Sequence, residues 1–286
     1  MRVSVITLTH NQLAVTRRCL ESWLEATGAE WELVVVENGS ADGTREWLAG
    51  FARTAAARGV EVRVILNDRN LGCSTARNQA LAEARGELVA FMDNDVALRN
   101  RDWLAALGRA LDREKDAVAV GPKLVYPFPP HDIQCAGVAI SPHGRVQFRG
   151  RGEPRDDPRF SQPAEVQCLI SACCLARLGA VREAGGFDEA FNPVQFEDFD
   201  LCYRLREAGG RLYYVPAVEM YHFESVTTAG TETIPNTRVI VRNGLRFKRR
   251  WQHRFAHESG PPDADCRWRA VATPRFDEIG GLPVVG

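Results

Sequence analysis

Short apolar runs and longer amphipathic stretches alternate along the first hundred residues of the chain. Apolar, mostly β-branched runs predict strands, and apolar side chains spaced three or four positions apart predict helices. The predicted strands are residues 3–8, 33–36, 60–66 and 88–92, and the predicted helices are residues 15–26, 44–58 and 74–84. Such alternation is typical of a parallel sheet that is covered by helices on both faces.

The second half of the chain has a less regular pattern. Strands are predicted at residues 118–125, 170–175, 212–215 and 218–222, a hairpin at 138–148, and helices at 198–208 and 238–254. Residues 150–163 carry many charges and prolines without an apolar period. We therefore expect that segment to be a mobile lid.

Composition indicates a globular protein with a sizeable core, since 45% of the 286 residues are hydrophobic and 26% are charged. The net charge of −1 gives no reason to expect a nucleic-acid partner. The eight cysteines form no CxxC pair, so we expect reduced, mostly buried thiols. The apolar stretch before His10 is too short for the apolar region of a signal peptide, which leads us to expect a cytoplasmic protein.

Polar residues gather just after each of the first four predicted strands. These residues are 9–11, 37–40, 67–70 and 93–95. Ligands of open parallel sheets bind at the carboxyl ends of the strands, so these four loops predict the binding edge.

The triplet Asp93-Asn94-Asp95 follows an apolar strand. Residues two apart in an extended chain point to the same side, so both carboxylates can face one hard divalent cation and the phosphates bound to it. The alternative is a turn with solvated acids, because Asp and Asn are common in turns. Similarly, Glu37 at a strand end can accept hydrogen bonds from a nucleotide, or can simply belong to the turn that starts the next helix.

Two phosphate-binding signatures are absent from the sequence. No GxGxxG follows the first strand, and no GxxxxGK[ST] occurs. Their absence argues against a dinucleotide dehydrogenase and a P-loop NTPase. A sugar nucleotidyltransferase would also begin with a Gly-rich loop, whereas this first loop reads Thr9-His10-Asn11-Gln12.

An acidic cluster, which includes Glu197, Asp198 and Asp200, begins a predicted helix. The helix dipole favours carboxylates at this end, so the cluster can be a simple cap. The functional alternative is a general base that removes a proton from an acceptor hydroxyl.

Taken together and in order, these segments resemble glycosyltransferase family 2. The matching segments are VITLTHN (5–11), VVVENGSADGT (34–44), NLGCSTARN (70–78), FMDND (91–95), GGFDE (185–189) and FEDFDLC (196–202). The resemblance spans roughly residues 3–225 and implies the GT-A fold, a Rossmann-like, mostly parallel sheet with a fused acceptor-side lobe. It divides the chain into a GT-A domain (1–230), with a nucleotide-sugar half (1–117) and an acceptor half (118–230), followed by a basic helix and tail (231–286).

The resemblance also implies a role for individual residues. The nucleotide sugar would be bound by Thr9, Glu37, Asp68, Arg77, Asp93 and Asn94. Asp93, Asp95 and His222 would bind Mg²⁺ or Mn²⁺, and Asp198 would be the catalytic base.

The implied activity is inverting transfer of a sugar from a nucleoside-diphosphate sugar to a hydroxyl of a glycan, a lipid phosphate or a small molecule. Two alternatives stay open: a sugar nucleotidyltransferase on a related sheet, and a catalytically silent nucleotide-sugar-binding protein. The basic helix at 238–254 is either a solvated surface or a contact for an anionic partner, including peripheral membrane contact. Its apolar face is expected to dock on the catalytic domain while its arginines stay outside.

Overall fold

The structure, a computed structural model, describes residues 1–224 and 236–285. The helices are α1 (Leu13–Trp23), α2 (Thr44–Ala56), α3 (Cys73–Glu83), α4 (Trp103–Arg113), α5 (Leu178–Glu183), α6 (Glu197–Glu207) and α7 (Asn236–Phe255). The strands are β1 (Arg2–Thr9), β2 (Glu30–Asn38), β3 (Glu61–Asn67), β4 (Leu88–Met92), β5 (Val96–Leu98), β6 (Ala117–Val125), β7 (Ile133–Cys135), β8 (Val138–Ile140), β9 (Val146–Phe148), β10 (Ala164–Glu165), β11 (Cys173–Arg177) and β12 (Arg211–His222).

Ten of the strands in the described part of the chain form one sheet. Its order is β10-β12-β6-β11-β4-β1-β2-β3, with β5 paired to β12 and β7 paired to β6. The strands from β4 to β3 run parallel, as predicted, and β11 pairs antiparallel with both β4 and β6. The expected halves 1–117 and 118–230 therefore share one sheet, in which β11 joins the parallel strands of the first half to the strands of the second.

Helix α4 was not predicted from the sequence. Its buried side chains Trp103, Leu104, Leu107 and Leu111 have the three-to-four residue spacing of a helix packed on a core. The signal was therefore present in the sequence. By contrast, β5 and β7 have three residues each, which is too short for a periodic pattern.

The segment 150–163 is anchored to the domain. The Gly152 amide donates to the Ile133 carbonyl (2.7 Å), Lys123 Nζ donates to the Arg155 carbonyl (2.8 Å), and the Tyr214 hydroxyl donates to the Phe160 carbonyl (2.9 Å). These bonds tie the segment at points along its length. They argue against a mobile lid, because hydrogen bonds to the backbone of the segment can hold it without apolar periodicity; the mobility itself stays a prediction, which proteolysis with and without ligands would test.

Helix α7 docks on the domain through one face, as predicted. Phe247, Trp251 and Phe255 are buried, and they pack around Tyr203 of α6. Not all of its arginines point outward, however. Arg242 and Arg246 donate to carbonyl oxygens in the loop that precedes α6, so part of the basic pattern serves attachment.

The C-terminal tail returns across the domain. Its Ile279 packs with Val15 and Tyr221, and the Val285 amide donates to the Arg99 carbonyl (2.7 Å). No helix in the described residues is both long and apolar enough to cross a bilayer.

Asp200 provides the test of how α7 is attached. Its fully buried carboxylate accepts hydrogen bonds from Trp251 Nε1 (2.9 Å), Arg250 Nη1 (2.8 Å) and Arg204 Nε (2.8 Å). We expect Asp200→Ala to lower the free energy of unfolding by about 3 kcal/mol, because it leaves buried donors without an acceptor. Urea denaturation measures the change.

The matched control for this experiment is Asp277→Ala. Asp277 pairs with Arg275 on the surface, where an ion pair contributes about 0–1 kcal/mol. Equal effects of the two substitutions would contradict the attachment of α7 through Asp200.

Candidate active site

A cavity of about 560 Å³ opens at the carboxyl ends of β1, β2 and β4, a size that suits a small-molecule ligand. The polar residues that line it include Thr9, His10, Asn38, Asn70, Arg77, Asp93, Asn94, Asp95, Ser171, Glu197, Asp198, His222 and Glu224. The predicted binding edge and the predicted base therefore share one cavity.

Asp93, Asp95 and His222 form a cluster in which one ligand atom of each lies within 4.8 Å of the other two. The two acids follow β4, and His222 ends β12, whose pairing with β5 sets His222 opposite Val96. His222 Nε2 is 3.3 Å from Asp95 Oδ1. Although burial opposes a charge there, Asp95 raises the pKa of His222 above its ordinary value.

Gln134 orients the ring of His222. Its Oε1 lies 2.6 Å from His222 Nδ1, and both side chains are buried. When Nδ1–H donates to this oxygen, Nε2 faces Asp95. Nε2 is therefore the nitrogen that would bind a cation. Histidine ligands in metal sites commonly donate their second ring N–H in this way.

Arg77 joins the two sides of the cavity. Its guanidinium donates to Asp93 Oδ1 (2.9 Å) and to Glu197 Oε1 (2.7 Å), and it lies 5.3 Å from the ring centre of Phe187. The side chain is buried, so these charge-assisted bonds act with little screening by water. Arg77 thereby holds the start of α6 next to the acids that follow β4.

The carboxylate of Asp198 is held by two backbone amides. It accepts from Ser171 N (3.2 Å) and Phe199 N (2.8 Å). Burial, and secondly the neighbouring charge of Glu197, raise the pKa of Asp198 to about 7. A carboxylate with that pKa is a much better proton acceptor near neutral pH than an ordinary one.

Two asparagines fix the loop that leads into α6. Asn192 Oδ1 accepts from Ser74 N (3.0 Å) and so caps α3 from 118 positions away. Asn243 of α7 donates from Nδ2 to the carbonyls of Phe191 (2.6 Å) and Val194 (2.8 Å). The position of Asp198 thus depends on both α3 and α7.

The residues expected to bind the nucleotide fall into two groups. Thr9, Arg77, Asp93 and Asn94 line the cavity. The buried hydroxyl of Thr9 has no hydrogen-bond partner among the described residues. The Asn94 amide donates to Thr16 Oγ1 (2.7 Å).

Glu37 and Asp68 do not line the cavity. The buried Glu37 accepts from Ser40 N (2.6 Å) and Arg45 Nε (3.0 Å), so its carboxylate orders its own loop. Asp68 is exposed on the next loop. The neighbouring Asn38 and Asn70 contribute to the wall instead.

Gln134, Ser171 and Trp268 belong to the site and were missed in the sequence. Gln134 is 88 positions from His222 and sits in a three-residue strand between two buried apolar residues. Ser171 contributes its backbone amide, and Trp268 lies in the Pro/Gly-rich tail. None of the three belongs to a recognisable motif.

The cluster fits a divalent cation. Two carboxylates and one imidazole nitrogen are ligands that Mn²⁺ and Mg²⁺ sites in proteins accept. Asp95 stabilises a proton on His222 in the absence of a metal. A metal that bound the same nitrogen would displace this proton, so metal binding would release it.

Comparison with known proteins identifies the family. The sequence model described as "Glycosyl transferase family 2" matches residues 4–183. The chain belongs to this family. The alignment region includes Asp93 and Asp95, while Asp198 and His222 lie beyond it.

Relatives support this assignment. A Mycobacterium tuberculosis protein named N-acetylglucosaminyl-diphospho-decaprenol L-rhamnosyltransferase is 30% identical over 251 residues, 78% of this chain and 76% of its own length. The uncharacterized protein y4gI of Sinorhizobium fredii is 33% identical over 91% of this chain. The M. tuberculosis pre-mycofactocin glycosyltransferase is 32% identical over 57% of this chain. The matches span only 29% and 32% of the lengths of these last two proteins.

Solved structures share the GT-A fold. GalNAc-T7 with UDP, GalNAc and Mn²⁺ superposes with a TM-score of 0.70 at 18% identity, over 89% of this chain and 49% of that one. The mannosyltransferase PcManGT of Pyrobaculum calidifontis with GDP-Man and Mn²⁺ gives 0.59 at 22% identity, over 80% of this chain and 58% of that one.

Gln134 gives a test of the metal cluster that does not depend on catalysis. We expect Gln134→Leu to weaken Mn²⁺ binding about 10- to 100-fold, because His222 loses the acceptor that orients its ring. Calorimetric titration with Mn²⁺ in the absence of nucleotide measures the affinity. Gln134→Glu is the control, since it keeps an acceptor and should retain most of the affinity; a Leu variant that binds as tightly as wild type would contradict the role.

Proposed function

We propose that this protein is a metal-dependent, inverting glycosyltransferase that moves a sugar from a nucleoside-diphosphate sugar to an acceptor hydroxyl, with Asp198 as general base. The observation that carries the proposal is the shared cavity: the Asp198 carboxylate, with its pKa raised to about 7, opens into the same space as the Asp93, Asp95 and His222 cluster. Family membership favours glycosyl transfer over nucleotidyl transfer.

The charges around the cavity support dependence on a cation. Asp93, Asp95, Glu197 and Asp198 line it, in addition to Glu224, whose charge is offset by Arg151. Arg77, which is already paired with Asp93 and Glu197, is the one arginine among the described lining residues. A diphosphate placed here without added positive charge would be repelled. Asp93, Asp95 and His222 would hold Mg²⁺ or Mn²⁺, which when bound would stabilise negative charge on the leaving diphosphate.

The donor would lie along the carboxyl edge of the parallel strands. The lining residues Thr9, Asn38 and Asn70 would contact the nucleoside part. Solved GT-A structures of other proteins that contain UDP or GDP-Man with Mn²⁺ are consistent with such a donor.

Asp198 is the acid best suited to the proton transfer. Glu197 is occupied by Arg77, and Asp200 is fully buried beneath three donors outside the cavity. Asp198 would accept the proton of the acceptor hydroxyl while that oxygen attacks the anomeric carbon from the face opposite the diphosphate. A single displacement of this kind inverts the anomeric centre and needs no covalent intermediate.

Metal dependence is tested on nucleotide binding. We expect UDP or GDP to bind at least tenfold more weakly in the presence of a chelator than with Mn²⁺, because the acids repel the phosphates. Calorimetry with and without chelator measures both affinities. Asp95→Asn should reduce the difference, and equal affinity in both conditions would end the metal role.

Asp198→Asn tests the base. The substitution keeps the shape and removes the proton acceptor, so we expect transfer or donor hydrolysis to fall about 10²–10⁴-fold while nucleotide affinity changes little. Asp188→Asn is the control, since Asp188 lies outside the cavity and caps the turn at Ala190. An Asp198→Asn enzyme with more than about a tenth of wild-type turnover would assign the base to another residue.

The pH dependence follows from the raised pKa of Asp198. Below about pH 7 the carboxyl is protonated and cannot accept a proton, so kcat/KM should rise with pH through about 7 and then level off. The rate of donor hydrolysis is measured between about pH 5 and 9, which is roughly two pH units on either side of this pKa. A flat profile over this range would argue against Asp198 as the titrating base.

A family 2 protein that binds nucleotide sugars without catalysis is the other candidate. It predicts donor binding without turnover in every acceptor mixture.

The contact of α7 with an anionic partner stays a separate prediction, tested by co-sedimentation with anionic and neutral vesicles.

A further inference from the structure

One wall of the cavity is apolar and is built from parts of the chain that are distant in sequence. Val146 and Phe148 come from β9, Ile240 comes from α7, and Trp268 comes from the tail. These side chains line the same cavity as Asp198. The tail therefore contributes to the site and is not only an appendage to the domain.

Trp268 is both exposed and held in place. Its side chain is 64% exposed, yet its ring meets Phe148 edge to face at 5.6 Å and lies 3.8 Å from the guanidinium carbon of Arg151. Two side chains hold the backbone of the segment around it: Arg151 Nε donates to the Arg269 carbonyl (2.9 Å), and Gln147 Nε2 donates to the Asp265 carbonyl (3.0 Å). An exposed indole that is held this firmly presents an ordered apolar surface to a ligand.

The charge beneath Trp268 is neutralised. Arg151 forms a two-pronged pair with Glu224, with Nη1–Oε1 at 2.7 Å and Nη2–Oε2 at 2.9 Å. The arginine thus supports the ring without offering its charge to a phosphate.

The rest of the cavity supplies little positive charge. Among the described residues that line it, Arg77 is the one arginine and there is no lysine. A metal in the Asp93, Asp95 and His222 cluster would be committed to the donor diphosphate. A second phosphate, on the acceptor, would therefore meet a net acidic surface.

We infer, on the basis of the proposed function, that Trp268 and Ile240 bind an uncharged apolar or aromatic group of the acceptor, next to the hydroxyl that Asp198 deprotonates. The acceptor is thereby assigned to neutral glycosides or alcohols with an apolar part, and not to phosphate-linked sugars. Contact of an aryl group with the indole would add affinity through apolar burial and ring stacking.

The experiment compares three derivatives of one sugar at a time: the p-nitrophenyl glycoside, the methyl glycoside and the sugar 1-phosphate. Glucose, galactose, mannose and N-acetylglucosamine are each used. Calorimetry in the presence of UDP and Mn²⁺ measures binding, and KM is measured wherever transfer occurs. We expect at least one aryl glycoside to bind about five- to tenfold more tightly than its methyl counterpart, and the 1-phosphates to bind most weakly.

Two sets of variants locate this preference. Trp268→Ala should remove the aryl preference, whereas Trp268→Phe should retain most of it, which separates loss of the ring from loss of the fold. Ile240→Ala should weaken aryl binding, and Val241→Ala is its matched control, because Val241 is the next residue on α7 and is exposed outside the cavity.

The inference is overturned if aryl and methyl glycosides bind equally or not at all, if the 1-phosphates bind best, or if Trp268→Ala keeps the aryl preference. Failure of the proposed function gives a different result. In that case no nucleotide sugar is hydrolysed or transferred with Mn²⁺, while the binding preference for aryl glycosides can still be measured.

Discussion

The buried guanidinium of Arg77 is the interaction on which the site depends. It donates hydrogen bonds to Asp93, which follows β4, and to Glu197 at the start of α6. These two acids are 104 positions apart in the sequence. Without the positive charge of Arg77, placing Asp93, Glu197 and Asp198 around one cavity would cost several kcal/mol in mutual repulsion and lost hydration. Arg77 removes part of that repulsion and leaves Asp95, His222 and Asp198 open to the cavity.

Asp198, the proposed base, is positioned by polar contacts between residues that are distant in sequence. Asn192 caps α3, Asn243 holds the preceding loop from α7, and the amides of Ser171 and Phe199 hold the Asp198 carboxylate. Asp200 sits in the same helix with its oxygens fully used by Trp251, Arg250 and Arg204. Two aspartates in one helix turn therefore differ in role because their surroundings differ: one locks α7 in place, and the other faces the cavity with a raised pKa.

The cavity has a polar edge and an apolar wall, and the two are built from different parts of the chain. The polar edge is made by loops after parallel strands, where backbone and carboxylate groups converge. The apolar wall is made by side chains from β9, α7 and the tail. We propose that the donor binds at the polar edge and that part of the acceptor binds at the apolar wall.

The sequence by itself determined the alternating first half, the binding edge, the family and the acids at its centre. Strand and helix periods are local, and the motifs after the strands stay together because parallel strands end at one edge. It could not show that Glu37 orders its own loop, that residues 150–163 are anchored, or that Gln134 and Trp268 belong to the site. The partners of Glu37 are local, but the sequence leaves both a nucleotide and its own loop open to its carboxylate. The other roles depend on partners tens of positions away or more, such as Gln134 and His222, and only the packed structure decides which distant side chains meet.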